Sequence, residues 1–272
     1  MRNVFMDVNA ACDIVSNDKN VVGSGYSKIF CSSNENLKEL FKVISVEDKE
    51  VLSVLSSGDQ YFYSYYNGAK NVDTFDRNYL TKHYYYIRKW CIKYLGSFYP
   101  NNQFLNNTNF IRELLSFVEC SDMEEREAYL FWKTYADRIQ PLDNRKLFYS
   151  GFYNRGGITD MDKLEDIVDK KLVFFHGNIK NYPSSNNKRY DVIILSNILE
   201  YCDSTSIEPM RDRLYRLLNY GGIIVCSRIV TDKDEFDYQR SVFSRVFDYR
   251  KLLDSNLSIS EFPLGYVYTK KC

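Results

Sequence analysis

The stretch Glu50-Val51-Leu52-Ser53-Val54-Leu55, running straight into Ser56-Ser57-Gly58-Asp59-Gln60, decides how this chain is to be read. A short apolar run that stops at a polar, glycine-bearing turn is the signature of a buried strand rather than a helix. A helix over Tyr61–Asn67 follows, and Gly68 stops it. A second run, Asn71-Val72-Asp73-Thr74-Phe75, ends at Asp76-Arg77-Asn78. Strand, helix and strand in that order form a βαβ unit and predict a largely parallel sheet.

Upstream, Ser32-Ser33-Asn34-Glu35 has the spacing of a capping box, and Leu37, Leu40, Phe41 and Ile44 continue it at helical spacing. Residues 1–45 are therefore expected to be an N-terminal helical segment. Downstream, a long helix is expected from Tyr79 to Leu95. Residues 96–160 then break the alternation: helices at Thr108–Val118 and Met123–Arg138 have no buried strand between them, which reads as an inserted helical cap. Alternation returns with a helix at Asp160–Lys170 and strands at Leu172–His176 and Tyr190–Leu195, the latter apolar on both faces as a central parallel strand must be. A helix at Ser206–Leu218, a Gly221-Gly222 turn, a strand at Ile223–Ser227, a helix at Glu235–Phe247 and a closing strand at Tyr266–Lys270 complete the chain. The fold class is α/β, with helices on both faces of at least six strands, and residues 1–272 are expected to form one domain.

Composition narrows the function classes. The 272 residues hold 36 Lys and Arg against 36 Asp and Glu, so no global field draws in nucleic acid or anionic lipid. No run approaches the length of a membrane span. The first residues carry Asp7, Asp13 and Asp18 without the basic start and apolar run of a secretory signal, so a cytoplasmic location is expected. Seven cysteines, an odd number without a C-x-x-C, and only two histidines argue against a disulfide framework or a zinc site.

In an open α/β sheet, ligands bind beyond the carboxyl ends of the strands at the switch in strand order. The turn there, Ser56–Gln60, has the single glycine Gly58 where a dinucleotide fingerprint has three, and there is no G-x-x-x-x-G-K-[ST], so NAD, FAD and a P-loop nucleotide are disfavoured. A ligand with a ribose but no phosphate fits better. Asp76 lies 18 residues beyond Gly58 at the end of the second strand, where a carboxylate can accept from both ribose hydroxyls. S-adenosylmethionine has that shape, and Ser56, Ser57, Asp59 and backbone amides at the helix start offer donors and acceptors to its amino-acid end.

The runs Val51–Gln60, Gly68-Ala69-Lys70 and Asp73-Thr74-Phe75-Asp76-Arg77-Asn78 resemble the BtaA-like family of the class I S-adenosylmethionine-dependent transferase superfamily. That family has a Ser-x-Gly first loop and a second strand ending in Asp-x-Asn. The likeness extends less specifically through Tyr149–Gly156 and Tyr190–Tyr201. It implies a Rossmann-like, seven-stranded domain that binds S-adenosylmethionine with Ser56, Ser57, Gly58, Asp59, Gln60, Asp76, Arg77 and Asn78. Members of the BtaA type transfer the 3-amino-3-carboxypropyl group, whereas most of the superfamily transfers methyl.

Further candidates follow from position. Asn178-Ile179, after the third strand, stands where an amide can meet an adenine amino group; an asparagine satisfying its own turn is the equal alternative. Ser196 and Asn197 close the apolar fourth strand, and Asn197 and Tyr201 are candidates to border the transferred group. Tyr153 and Arg155 are candidate substrate contacts, Arg155 as a bidentate partner for a carboxylate. His83 is a candidate general base, although a packed or surface histidine is the plainer reading. Tyr129, Phe131, Trp132 and Tyr135 give the insertion more aromatic surface than one amphipathic helix must bury, so it is expected to cover the strand ends as an acceptor pocket. The expected activity is S-adenosylmethionine-dependent methyl transfer to a small or medium-sized metabolite acceptor, with no nucleic acid and no metal. Aminocarboxypropyl transfer and a non-catalytic binding module are the rivals.

Overall fold

The computed structural model describes residues 4–17, 25–33, 35–100, 108–138, 144–149, 157–183, 188–227, 233–252 and 265–271. In chain order the elements are α1 (Val4–Asn17), α2 (Leu37–Val43), β1 (Glu50–Val54), α3 (Asp59–Tyr66), β2 (Asn71–Asp76), α4 (Leu80–Leu95), α5 (Thr108–Ser116), α6 (Met123–Arg138), α7 (Met161–Val168), β3 (Val173–His176), β4 (Tyr190–Ser196), α8 (Ser204–Leu217), β5 (Leu218–Ser227), α9 (Lys233–Ser244), β6 (Phe247–Leu252) and β7 (Gly265–Lys270). Contacts divide the chain into two compact units, one of residues 1–34, 55–59 and 77–171 and one of residues 35–54, 60–76 and 172–272. The segment 96–160 thus shares a unit with α1 and α4, and α2 belongs with the sheet.

The sheet unit holds seven strands in the order β3-β2-β1-β4-β5-β7-β6. All pairs are parallel except those of β7, which runs against both β5 and β6. From β1 the chain steps outward through β2 to β3, then returns to β4 on the other side of β1 and steps outward again. The switch point therefore lies between β1 and β4, where an open sheet of this kind takes its ligand. This is the Rossmann-like class I methyltransferase fold.

β1 can sit at the centre because Val51 to Val54 are all buried, as both faces of a central parallel strand require. At the amino ends of the strands, Asp191 of β4 fastens its two neighbours β1 and β5: its Oδ2 accepts from Glu50 N at 3.0 Å and its Oδ1 from Asn219 Nδ2 at 2.8 Å. Leu52, Phe75, Ile193, Leu195, Leu214, Ile224, Phe243 and Tyr268 belong to one continuous core. Lys270 is 3 % exposed, and its Nζ donates to the carbonyls of Tyr215 and Leu218 at the end of α8, where a cation meets the negative end of the helix.

Two local expectations differ from the structure. β5 begins at Leu218, so the expected Gly221-Gly222 turn lies inside the strand; Gly221 (φ +72°) takes up a register shift against β4 without ending the pairing. The expected helix to Phe247 stops at Ser244, and β6 follows. β6 is an edge strand in which only Phe247 and Leu252 are fully buried, so it lacks the alternation that betrays a strand.

In the helical unit, α4 is buried over every residue from Leu80 to Ile92. A helix surrounded on all sides is the core of its unit. Two of its polar side chains meet acidic partners: Trp90 Nε1 donates to Glu125 Oε1 at 2.7 Å, and Lys82 reaches Glu124 at 3.1 Å. Gly96, in the left-handed region at φ +56°, ends the helix and donates its N–H to Cys91 and Ile92 carbonyls. Ile29 and Phe148 form a short parallel bridge, with Ile29 N donating to Leu147 O and Tyr149 N to Ile29 O, each at 2.9 Å. Among the described residues no helix is long and apolar enough to cross a membrane.

Candidate functional site

The carboxyl edge of the sheet unit gathers polar residues from five separate elements. Asp76 ends β2, half-buried, in register with His176 at the end of β3; the Asp76 carbonyl accepts from Gly177 N at 2.8 Å. Ser196 ends β4 with φ +55°, a left-handed conformation that costs a non-glycine residue about 1–2 kcal/mol. Its hydroxyl donates to Glu35 Oε1, as does the hydroxyl of Ser227, the last residue of β5. Gln60, in the first turn of α3, donates from Nε2 to Glu35 Oε2 at 3.0 Å. Burial pushes the Cys226 thiol of β5 well up, and the Glu35 carboxylate raises it further.

Glu35 is the correction to the expected capping box. Asn36, not Ser32, caps α2, its Oδ1 accepting from Glu39 N at 3.4 Å. The carboxylate that the spacing assigned to the third helical position is turned onto the strand ends instead. Neither Glu35 nor Ser227 carries a local sequence signal for this role.

Around the same edge, Asn197 is half-buried and Tyr201, in the short 3₁₀ turn Ile198–Tyr201, is 68 % exposed. Asn178 caps the turn Ile179–Asn181 by accepting from Lys180 N at 3.0 Å, the turn-satisfying alternative. Ile179 is fully buried in the core, so its side chain is part of the packing rather than of an open surface.

The turn that leaves β1 belongs to the helical unit. Ser56 (φ +46°) and Gly58 (φ +88°) both stand in the left-handed region, and Gly58 N donates to Leu55 O at 2.6 Å. The side chains expected to meet a ligand are engaged elsewhere. Asp59 is fully buried: its Oδ1 accepts from Arg88 Nη2 at 2.9 Å, and its Oδ2 accepts from Ser57 Oγ at 2.9 Å and from Ser33 N. Arg88 Nη1 donates to the Ser57 carbonyl at 2.9 Å and Nε to the Phe98 carbonyl at 2.8 Å, while Phe98 and Tyr99 flank the guanidinium. Burial opposes the charge on Arg88, but Asp59 more than restores it, leaving the guanidinium's pKa raised. Ser57 and Asp59 thus stiffen the turn from within, and any ligand contact there falls to backbone amides, Ser56 and Gly58.

Asn78 is corrected by counting. An asparagine amide has two acceptor lone pairs and two donor hydrogens. Oδ1 accepts from Ser27 N and Leu80 N, and Nδ2 donates to Ser27 O and Lys28 O, all between 2.9 and 3.2 Å, so the amide is fully used in starting α4. Arg77 beside it is exposed.

His83 is 1 % exposed within the helical unit, stacked on Phe131 at 4.1 Å with Tyr79 edge-on at 5.3 Å. Its Nε2 lies 3.1 Å from Asp7 Oδ2, and Asp7 also accepts from the Tyr26 hydroxyl. Glu127, which accepts from Tyr79 at 2.7 Å, completes a group whose nitrogen and oxygen atoms all lie within 4.8 Å of one another. Burial holds the imidazole pKa below its ordinary value, against the pull of Asp7. A general base must reach its substrate's proton, and a side chain packed in this way does not; His83 is the plainer, packed histidine.

Phe131, Trp132 and Tyr135 of the insertion are likewise fully buried, and only Tyr129 lines a surface hollow, with Val118, Met123, Arg126 and Leu130. Tyr153 and Arg155 lie outside the described residues.

The sequence matches no protein-family model and no curated protein. Solved methyltransferases are among the structures it matches. The N-methyltransferase NodS from Bradyrhizobium japonicum WM9, crystallised with S-adenosyl-L-homocysteine, is 8 % identical over 99 % of each chain at a TM-score of 0.43. The glycopeptide N-methyltransferase MtfA, crystallised with sinefungin, is 9 % identical over 93 % of this chain and 100 % of its own at 0.45. A putative rRNA methylase from Clostridium thermocellum is 9 % identical over 89 % and 98 % at 0.41.

Proposed function

We propose that this chain is an S-adenosylmethionine-dependent transferase that moves a methyl group onto a small or medium-sized acceptor. The observation that carries this reading is the switch point of the sheet, whose carboxyl edge presents carboxylate, hydroxyl and amide groups in place of a phosphate cradle. The donor set suits the cofactor. Asp76 at the end of β2 matches a ribose diol, which needs a double acceptor. Glu35, Gln60, Ser196 and Asn197 match an amino-acid end that carries both signs of charge.

When bound, the cofactor supplies a sulfonium whose methyl carbon is open to in-line attack. The protein's part is then to hold donor and acceptor in near-attack geometry, which alone accounts for several kcal/mol of barrier. His83, packed inside the helical unit, takes no part in this reading as a general base. Equal numbers of acidic and basic residues favour a metabolite over a polyanion as acceptor.

Aminocarboxypropyl transfer, which the likeness of Val51–Gln60 and Asp73–Asn78 to the BtaA-like family supports, uses the same cofactor and breaks a different bond to sulfur. Turnover with a panel of metabolite acceptors, followed by identification of the sulfur product, separates the two. S-adenosylhomocysteine is expected; 5′-methylthioadenosine would transfer the assignment to the second activity. A folded protein that yields neither product and binds neither cofactor form would leave the non-catalytic module.

A further inference from the structure

The turn that leaves β1 is held from outside by a side chain of α4. Arg88, fully buried, directs its three guanidinium nitrogens to three acceptors: Nη1 donates to the Ser57 carbonyl at 2.9 Å, Nη2 to Asp59 Oδ1 at 2.9 Å and Nε to the Phe98 carbonyl at 2.8 Å. A planar fork of fixed donors can meet three acceptors at once, whereas a lysine ammonium is a point charge on a flexible stem. The Ser57 carbonyl and the Gly58 N–H belong to one planar peptide unit. Its carbonyl is taken by Arg88 and its N–H by the Leu55 carbonyl at 2.6 Å, so the unit is pinned at both ends.

The pinning falls where the backbone is least able to choose for itself. Ser56 at φ +46° and Gly58 at φ +88° are both left-handed, and glycine visits either sign of φ at little cost. Gly58 therefore does not select the orientation of this peptide; its two hydrogen bonds do, and the one from outside the turn is that of Arg88. Rotation of the unit would redirect the amides on either side of it. Arg88 is itself clamped, because the ring centres of Phe98 and Tyr99 lie 4.5 and 4.4 Å from its guanidinium carbon. Gly157, near the end of the inserted segment, packs against the same two rings: a Cβ there would stand 2.8 Å from Tyr99 Cε2 and closer still to Phe98 Cδ1. Contacts thus run from Gly157 through Phe98, Tyr99 and Arg88 to the Ser57–Gly58 peptide, all within the helical unit.

We propose that Arg88 is a positioning residue for cofactor binding: clamped by Phe98 and Tyr99 against Gly157, it fixes the Ser57–Gly58 peptide so that the turn meets the amino-acid end of S-adenosylmethionine already in its binding conformation. This rests on the S-adenosylmethionine reading and adds to it a residue that acts through the turn and touches no ligand itself. A turn ordered in advance spares the ligand the cost of ordering it on binding.

The test is calorimetric titration of the full-length protein and its Arg88→Lys and Gly157→Ala variants with two probes, with thermal unfolding of each to show that it is folded. S-adenosylhomocysteine carries the amino-acid end, and 5′-methylthioadenosine keeps the nucleoside and sulfur but lacks it. Arg88→Lys keeps the charge beside Asp59 and removes the fork. S-adenosylhomocysteine binding is expected to weaken about 10-fold, the order of effect when one residue's backbone is left to be ordered on binding, with 5′-methylthioadenosine binding unchanged. Gly157→Ala, which pushes on the two rings, is expected to give a smaller loss with the same selectivity, and the double variant to bind no more weakly than Arg88→Lys alone. Wild-type affinity for S-adenosylhomocysteine in folded Arg88→Lys would overturn the inference, as would parallel loss of both probes, which is what a merely structural role gives. Losses that multiply in the double variant would overturn it too, by uncoupling Gly157 from Arg88. Should Arg88→Lys fail to fold, Gly157→Ala decides by the same selectivity between the probes. Wild-type protein that binds neither probe would instead remove the cofactor reading on which the inference stands.

Discussion

Arg88 Nη2 and Asp59 Oδ1 lie 2.9 Å apart, and neither side chain is exposed to solvent. The pair joins the turn that leaves β1 to the central helix α4, and Ser57 and Ser33 complete the carboxylate's hydrogen bonding. A buried pair need not stabilise relative to an apolar one, but removing one member strands the other charge. Asp59→Ala and Arg88→Ala are each expected to cost about 3–5 kcal/mol in urea unfolding, with strong coupling in the double-mutant cycle. Single-variant losses below about 1 kcal/mol would show that the pair carries no structural weight.

Gly58 offers a sharper probe of the same turn. Its φ of +88° is costly for a β-branched residue and tolerable for asparagine. Gly58→Val is therefore expected to lose about 1–2 kcal/mol of stability together with cofactor affinity, whereas Gly58→Asn should keep the fold and report on ligand access alone. Equal thermal stability for the two variants would contradict the backbone argument.

Asp76→Ala addresses the ribose. Loss of the carboxylate is expected to weaken S-adenosylhomocysteine binding by about 1.5–3 kcal/mol at unchanged stability, the range for hydrogen bonds to a charged group. Unaltered affinity by calorimetry would remove Asp76 from the site.

The elements that could be read directly from sequence are those with the strongest periodicity. β1 and β4 are nearly pure apolar runs, α6 falls at Met123–Arg138 as its spacing predicts, and α4 differs from its expected span by one residue. β6 was hidden because an edge strand buried only at its two ends has neither a helical nor an alternating pattern. The site was harder for a different reason. Asp76, Gly58 and Ser196 sit at strand ends, which a βαβ reading locates, but the competition for their neighbours is long-range. Asp59 looks like a ligand group until Arg88, 29 residues on, claims it; Asn78 looks free until Ser27 and Lys28 take its amide. Glu35 failed in the opposite direction, since its local spacing fits a helix cap and its actual partners come from β4 and β5.

His83 predicts a pH dependence. Asp7 on α1, Glu127 on α6 and Lys82 on its own helix are the charged groups near it, and burial holds its pKa below the ordinary 6.5. The unfolded chain therefore takes up a proton at a higher pH than the folded one. The stability contributed by neutral His83 is present above about pH 6.5 and is lost as pH falls below it, by up to about 1.4 kcal/mol per pH unit. His83→Gln is expected to flatten the fall in unfolding free energy as pH drops below about 6.5. An identical pH profile for variant and wild type would show that His83 does not titrate differently on folding.

The central claim is that the sheet edge takes S-adenosylmethionine, and calorimetric titration of the wild-type chain with S-adenosylhomocysteine, beside NAD as a control, tests it most directly. Saturable one-to-one binding in the micromolar range, about −6 to −8 kcal/mol, with no heat from NAD is the expected result. Folded protein that shows no binding at about 1 mM S-adenosylhomocysteine, an affinity weaker than about −4 kcal/mol, would contradict it.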